Sequence, residues 1–260
     1  MTTYREFALP AQLIGRRVLW YDRVDSTNTR AAAYADDPGH AGLVVLADEQ
    51  TAGRGRQGRV WLSPPGCGVL LSVLLFPPES LRRPVVLTAL AAVAVCETIF
   101  QCARLQATIK WPNDVLVRGR KVCGILVEHG RGTIIGIGLN VNTPAEAFTA
   151  AQLAQAGSLA LFTGGPLDRR AVAETLITQL DQGYADLREG RAGDLEARWR
   201  WHSGLLGRPV VLRSTDGELV RGRLLELAFS GVVLEEPDGQ VRCLAPERIE
   251  AIKLAGAEPA

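Results

Sequence analysis

Lys110-Trp111-Pro112-Asn113-Asp114 and, six residues further on, Lys121-Val122-Cys123-Gly124-Ile125-Leu126-Val127-Glu128 are the segments that organise this chain. Trp-Pro-Asn-Asp stands between two apolar runs, Thr108 to Trp111 and Val115 to Val117. Proline removes a ladder donor and Asn-Asp favours a side-chain-capped turn, so the run reads as a turn between short strands. The lysines add chemistry to that turn. Lys110 sits in an otherwise apolar strand, and Lys121 opens another, Lys121 to Glu128, a little before Gly124. A lysine held on a rigid strand is a good way to set a point charge beside a phosphate. Arg118-Gly119-Arg120 and His129-Gly130-Arg131-Gly132 then read as tight hairpin turns leading on to Thr133 to Asn140, which implies antiparallel sheet.

Upstream lies Gly53-Arg54-Gly55-Arg56-Gln57-Gly58-Arg59, three glycines and three arginines in seven residues with no apolar side chain. Such a segment buries no core, so it is a loop, and its chemistry points at anions. Glycines let backbone N–H groups approach an oxyanion closely. Arginines add permanently charged, forked donors that match phosphate and carboxylate. Taken alone, the run serves equally as a nucleotide cradle, a grip on a nucleic-acid backbone or a solvated hairpin tip.

Around these motifs, Arg17 to Tyr21, Leu43 to Ala47 and Val69 to Phe76 read as strands. Asp25-Ser26-Thr27-Asn28 offers capping side chains before a short helix over Thr29 to Ala35. Leu81 to Ala103 is the longest helical pattern and is apolar nearly all round, which places it centrally. From Ala145 to His202 the pattern is helical, clearest over Asp168 to Glu189. After Gly207 come Val210 to Arg213, Leu219 to Leu227, Val232 to Glu235 and Val241 to Ala245, short strands joined by Asp/Gly turns. They predict a small β-barrel or curled sheet. The expected division is 1–205 and 206–260.

Composition narrows the classes. Lys and Arg number 29 against 28 Asp and Glu, too balanced for a wholesale nucleic-acid or anionic-membrane binder. The longest apolar stretch, Pro84 to Cys96, has thirteen residues, too few to span a bilayer. The start of the chain has no basic-then-apolar signal pattern. Five cysteines without metal-ligand spacing, with three scattered histidines, argue against a disulfide framework or a structural zinc site. The expectation is a soluble cytoplasmic protein.

Order and spacing of the motifs resemble the biotin–protein ligases from about residue 16 to 142. The matching pieces are Ser26-Thr27-Asn28, Gln50, Gly53 to Arg59 with Trp61, Lys110 to Asp114, Lys121 with Gly124 to Glu128, and Gly136-Ile137-Gly138-Leu139-Asn140-Val141-Asn142. The resemblance implies an α/β (α+β) fold of the class II aminoacyl-tRNA-synthetase type, with a mixed or antiparallel sheet and a C-terminal barrel of Src-homology-3 type. It implies a two-step reaction in which biotin and ATP, with Mg²⁺, form biotinyl-5′-AMP and pyrophosphate. The biotinyl group then passes to one lysine of a biotin carboxyl carrier domain.

The same resemblance assigns residues. Ser26, Thr27, Asn28 and Gln50 would hold biotin, with Arg54, Gly55 and Arg56 closing over it and over the adenylate. Lys121, beside Gly124, would touch both the biotin carboxyl and the α-phosphate, and with Arg56 and Asp114 forms the expected catalytic group. Asp114 would orient Lys121, hold Mg²⁺ through water or deprotonate the acceptor lysine. Arg56, Arg59, Trp61, Lys110, Asn113 and Asn140 would serve the nucleotide, with Trp61 and Trp111 as aromatic walls. No protein ligand for the metal is assigned. The barrel would lie close enough to bring Arg221 or Arg223 to the substrate.

A lipoate or octanoate–protein ligase or transferase shares the fold and is the nearest rival. A nucleic-acid binder using the Arg-Gly loop is a rival of another class, although Trp61 is the sole aromatic near that loop and the barrel strands carry Glu218, Glu226, Glu235 and Glu236. Only Met1 to Gly15 precede the catalytic pattern, so the expectation is a monofunctional enzyme without a DNA-binding domain. A homodimer is left open.

Overall fold

In the structure, a computed structural model that describes residues 3–256, eight strands make one mixed sheet. They are β1 (Tyr4–Phe7), β2 (Val18–Val24), β3 (Val44–Gln50), β4 (Gly68–Leu75), β5 (Ala107–Lys110), β6 (Asp114–Val117), β7 (Arg120–His129) and β8 (Thr133–Asn140), in the order β1-β2-β3-β4-β8-β7-β6-β5. The β2–β3 pair is parallel, joined through helix α1 (Thr27–Ala32); the other neighbours are antiparallel. Strand alternation divides the sheet into two faces of different chemistry. Val69, Leu71 and Val73 of β4 and Ile135, Ile137 and Leu139 of β8 enter the main core. Helices α2 (Pro84–Ala103), α5 (Arg169–Arg188) and α6 (Ala192–Ser203) contribute to that core, the shorter α3 (Ala145–Ala150) and α4 (Leu159–Thr163) lying between α2 and α5 in sequence. The opposite face carries Ser72, Gly124, Gly136 and Gly138 in neighbouring positions.

Helix α2 begins later than its apolar pattern. Glu79–Leu81 forms a separate 3₁₀ turn, and Pro84, with no N–H to lose, takes the first helical position. By length and composition α2 is long enough to cross a membrane, more than its thirteen-residue apolar run predicts; here its residues are mostly buried in the core, against α5 and α6. Helix α1 starts two residues before the expected Thr29. Ser26 is its N-cap by backbone geometry, but its side chain makes no capping bond. Thr27 and Asn28 lie inside the helix, because their side chains find partners across the sheet.

Five antiparallel strands, β9 (Pro209–Ser214), β10 (Leu219–Leu227), β11 (Val232–Glu235), β12 (Val241–Leu244) and β13 (Ile249–Leu254), form the C-terminal sheet in the order β12-β11-β10-β9-β13. Its buried residues continue the main core. Trp199 of α6 stacks on Phe229 at 5.3 Å, and the Trp111 indole N–H donates to the Ile249 carbonyl at 3.1 Å. Strands β1 and β13 were not anticipated. The chain after β1 is pinned by the buried Asp181 carboxylate of α5, which accepts the backbone N–H groups of Gln12, Leu13 and Ile14 at 2.7–2.8 Å.

Candidate active site

The glycines of the second face are a floor. A Cβ on Gly138 would lie 2.4 Å from the Trp61 ring, and one on Gly124 would lie 2.9 Å from it. A Cβ on Gly136 would meet the Asn28 amide oxygen at 2.2 Å. Only glycine lets Trp61 and Asn28 settle onto β7 and β8. Gly53 serves the same end from above: its Cβ would lie 2.4 Å from the Trp61 carbonyl oxygen, so the two arms of the arginine loop approach backbone to backbone.

Lys121 reaches this floor through a bulge. Val115 pairs with Cys123 and Leu116 with Lys121, so one residue of β6 advances while two of β7 do. A β-bulge reverses which face a side chain takes. The Lys121 ammonium therefore lies 3.4 Å from where a Gly124 Cβ would be, 5.7 Å from the Trp61 ring centroid and 2.6 Å from Asp114 Oδ1. Asp114 is in register with Gly124 on one side and Lys110 on the other. Lys110 is exposed at the sheet's outer strand, and neither it nor Lys121 lines the main cleft, Lys121 lying under Trp61 instead.

That cleft, about 970 Å³, runs between the loop, residues Ile125 to Glu128, the start of α2 and the C-terminal sheet. Arg54, Gly55, Arg56 and Arg59 line one wall, Asn113 and Trp111 the other. Arg56 meets the neutral Asn113 side chain at 3.1 Å, and Asn113 is fixed in turn by Ile125, whose N–H it accepts and whose carbonyl it caps. Among the described residues neither Arg56 nor Arg59 pairs with a carboxylate, so both present unneutralised charge. The C-terminal sheet enters the cleft through Pro246, Glu247 and Ile249, not through Arg221 or Arg223, which sit on β10 away from it. Trp111 is a buried core residue with one edge on the cleft, which tempers its reading as an aromatic wall.

Beneath the loop a polar cluster is buried. Gln50 Oε1 accepts from the Thr27 backbone N–H at 2.7 Å and hydroxyl at 3.0 Å; the Ser72 hydroxyl lies 2.8 Å from Thr27 Oγ1 and 2.5 Å from Asn28 Oδ1. Asn28 Nδ2 donates to Glu128 Oε2 at 2.6 Å, and Arg54 donates to the same oxygen at 3.0 Å. Ser26 is buried beside them. Asn140, at the end of β8, donates to the Gly157 carbonyl at 3.1 Å, but its amide oxygen has no partner among the described residues; the Trp61 indole N–H is likewise buried and finds none among them. A buried donor and acceptor left open cost about 1–3 kcal/mol each, an expense proteins keep where a ligand supplies the partner. Behind the floor, burial pushes the Cys123 thiol up, so it stays protonated and is no nucleophile.

Comparison with known proteins finds relatives in sequence and in fold. A model described as the Biotin/lipoate A/B protein ligase family matches residues 20–142. The chain is 34% identical over 250 residues to the bifunctional ligase/repressor BirA of Bacillus subtilis, covering 94% of this chain and 77% of that protein. It is 33% identical to the biotin–[acetyl-CoA-carboxylase] ligase of Paracoccus denitrificans, over 75% of this chain and 85% of that one. The chain belongs to the biotin protein ligase family. Among solved structures, the biotin protein ligase from Aquifex aeolicus in complex with biotin and ATP superposes with a TM-score of 0.77 at 27% identity, covering 92% of this chain and 99% of that one.

Within this ligase fold, the structure brings Thr27, Asn28, Gln50 and Arg54 into one hydrogen-bonded cluster with Ser26 beside it, Lys121 and Gly124 under Trp61, and Arg56 onto the cleft wall with Asn113. Sequence reasoning missed Ser72 as a site residue, because a serine in an apolar strand carries no motif. It quoted Glu128 within a motif without giving it a part; its contact with Arg54 is long-range. It also passed over Gly136 and Gly138 as floor, although their alternation along β8 was the readable sign.

Proposed function

We infer that this protein is an ATP-dependent biotin–protein ligase. The biotin carboxylate oxygen forms a bond to the α-phosphorus of ATP while the bond from that phosphorus to the bridging oxygen breaks, and pyrophosphate leaves. The ε-amine of a carrier-domain lysine then attacks the mixed anhydride, forming the amide, losing a proton and releasing AMP. Both substrates of the first step are anions, so catalysis rests on positioning and on cations aimed at the developing charge. Two neighbouring features carry this reading: a cleft lined by the unneutralised Arg56 and Arg59, and a glycine floor under Trp61 that holds strand-borne Lys121.

Lys121, steadied by Asp114, bridges the carboxylate and the α-phosphate. Ser26, Thr27, Gln50 and Gly124 hold biotin, with Arg54, Gly55 and Arg56 above it. Arg56, Arg59 and Asn113 secure the phosphates, and Trp61 lies between the two substrates. Asn140 accepts from the adenine amino group with its unpaired amide oxygen. Lys110 reaches only the outer end of the nucleotide. Mg²⁺ arrives on ATP: no cluster of three metal-ligating side chains exists among the described residues, and Asp114 is engaged by Lys121. The division at residues 205–206 separates catalytic from C-terminal parts, and the acceptor is a carrier domain of a biotin-dependent carboxylase.

Incubation with biotin and Mg-ATP should leave biotinyl-5′-AMP bound to the protein, detectable by mass spectrometry. Adenylation of lipoate or octanoate in its place would overturn the biotin assignment, and salt-sensitive binding of RNA or DNA with no adenylate would overturn the enzyme.

A further inference from the structure

Asn28 is held from within the protein. Its amide oxygen is taken by Ser72, its amide nitrogen by Glu128, and its plane lies against Gly136. Asn28 is 4% exposed and Ser72 is fully buried. The amide oxygen and one of the two amide N–H groups are committed within the protein, so Asn28 acts on Glu128. Glu128 is at the end of β7 on the floor's face, and a single oxygen of its carboxylate receives both Asn28 and Arg54. Arg54 is the loop residue that reaches this buried cluster; the other tether of the loop, Arg56 to Asn113, belongs to a different strand pair.

We propose that Glu128 is the positioning residue on which the arginine loop closes: Ser72 and Asn28 aim its carboxylate, and the Arg54–Glu128 contact sets the loop over the cleft. The proposal deepens the ligase reading and rests on it. It reassigns Asn28 from biotin contact to support for the lid. It also explains why glycine stands at 136, since any side chain there would push Asn28 off Glu128. The thermodynamic consequence is local. A half-exposed ion pair contributes modestly to stability, but a loop with almost nothing buried has few other restraints, so its closed population follows this pair.

Glu128→Gln keeps an acceptor for Asn28 while removing the charge that Arg54 needs. In ligand-free protein, amide exchange over residues 53–60 should rise about fivefold to tenfold, the factor for a modest charge-assisted contact. The melting temperature should stay within about 2 °C, which a merely structural residue of the cluster would not allow. Arg54→Met should loosen the same residues by the same factor, and the double variant should add nothing further. With biotin and Mg-ATP, both variants should lose bound biotinyl-adenylate to solution about tenfold faster. Unchanged loop exchange in Glu128→Gln, or effects that multiply in the double variant, would overturn the proposal. The exchange measurement needs no substrate, so it separates failure of the latch from failure of the ligase reading, which the wild-type adenylate assay alone decides.

Discussion

Gly138→Ala tests the floor with one added carbon. The new Cβ would lie 2.4 Å from Trp61 Cε2, 2.6 Å from Nε1 and 2.8 Å from Cζ2. Carbon contacts relax at about 3.5–4.0 Å, so the ring must retreat by about 1 Å or more. Its other edge already packs over Gly124, where even a Cβ would lie only 2.9 Å from Cζ3, so little room is left on that side. Nor can its backbone lift easily, since the Trp61 N–H donates to the Gly53 carbonyl at 3.0 Å, beneath the close approach that Gly53 permits. The ring must rotate off the floor and leave its place beside Lys121. A displacement of about 1 Å near the reacting groups costs about hundredfold in rate. Biotin-dependent pyrophosphate exchange should therefore fall about hundredfold, while overpacking costs about 1–3 kcal/mol of stability by urea titration. Gly193→Ala on α6 is the control: its Cβ meets nothing within 4 Å, so activity should hold and stability rise by up to about 1 kcal/mol. Wild-type exchange kinetics in Gly138→Ala would refute the idea that Trp61 on a glycine floor shapes the site.

Three further outcomes follow from the same geometry. Lys121→Ala should lower biotin-dependent pyrophosphate exchange by about 10²–10³ with the fold intact by circular dichroism, the range for losing one preorganised donor to developing charge; retained exchange would show that another cation does this work. Asp181→Ala should strip three backbone N–H groups of their acceptor, costing about 3 kcal/mol and lowering the melting temperature by about 10 °C, and a shift under 2 °C by calorimetry would contradict that account. Burial lowers the pKa of His202, and of His129 together with nearby Arg82, from the ordinary 6.5. The unfolded chain then takes up these protons first, so stability should fall as pH drops through about 6.5 and level off below the folded pKa values. His202→Gln, which keeps a donor for the Ala107 carbonyl, should flatten that slope in urea titrations between pH 7.5 and 5.5, and an unaltered slope would remove His202 as its source.

What could be read along the chain was whatever depends on neighbours in sequence. Hairpins declared themselves through Arg118-Gly119-Arg120 and His129-Gly130-Arg131-Gly132, and the strand over Thr133–Asn140 was placed to the residue. Lys121 stood out as a charge in an apolar strand. The bulge that turns it toward Gly124 was invisible, because it is a relation between two strands and leaves no mark on either alone. Thr27 and Asn28 were read as caps since local hydrogen bonding favours that use; Gln50, Ser72 and Glu128, far away in sequence, outcompeted it. The N-terminal strand β1 has the ordinary composition of a surface segment, and its place depends on pairing with β2.

The composition of the loop bears directly on how such a site opens and closes. Residues 54–60 bury almost nothing, so apolar contact offsets little of the backbone entropy lost when they order. The Arg54–Glu128 and Arg56–Asn113 contacts, both partly exposed, are modest restraints. Without substrate, closure is therefore marginal by construction. A lid of leucines would bury itself on Trp61 and the floor whether or not the site were filled, and would exclude the substrates it should admit. Arginines gain little from an empty cleft and much from a carboxylate beside a polyphosphate, since charge-assisted bonds strengthen as water leaves. Occupancy and closure are thus coupled by residue type alone, and the coupling should weaken with ionic strength, as any closure driven by partly solvated charge must.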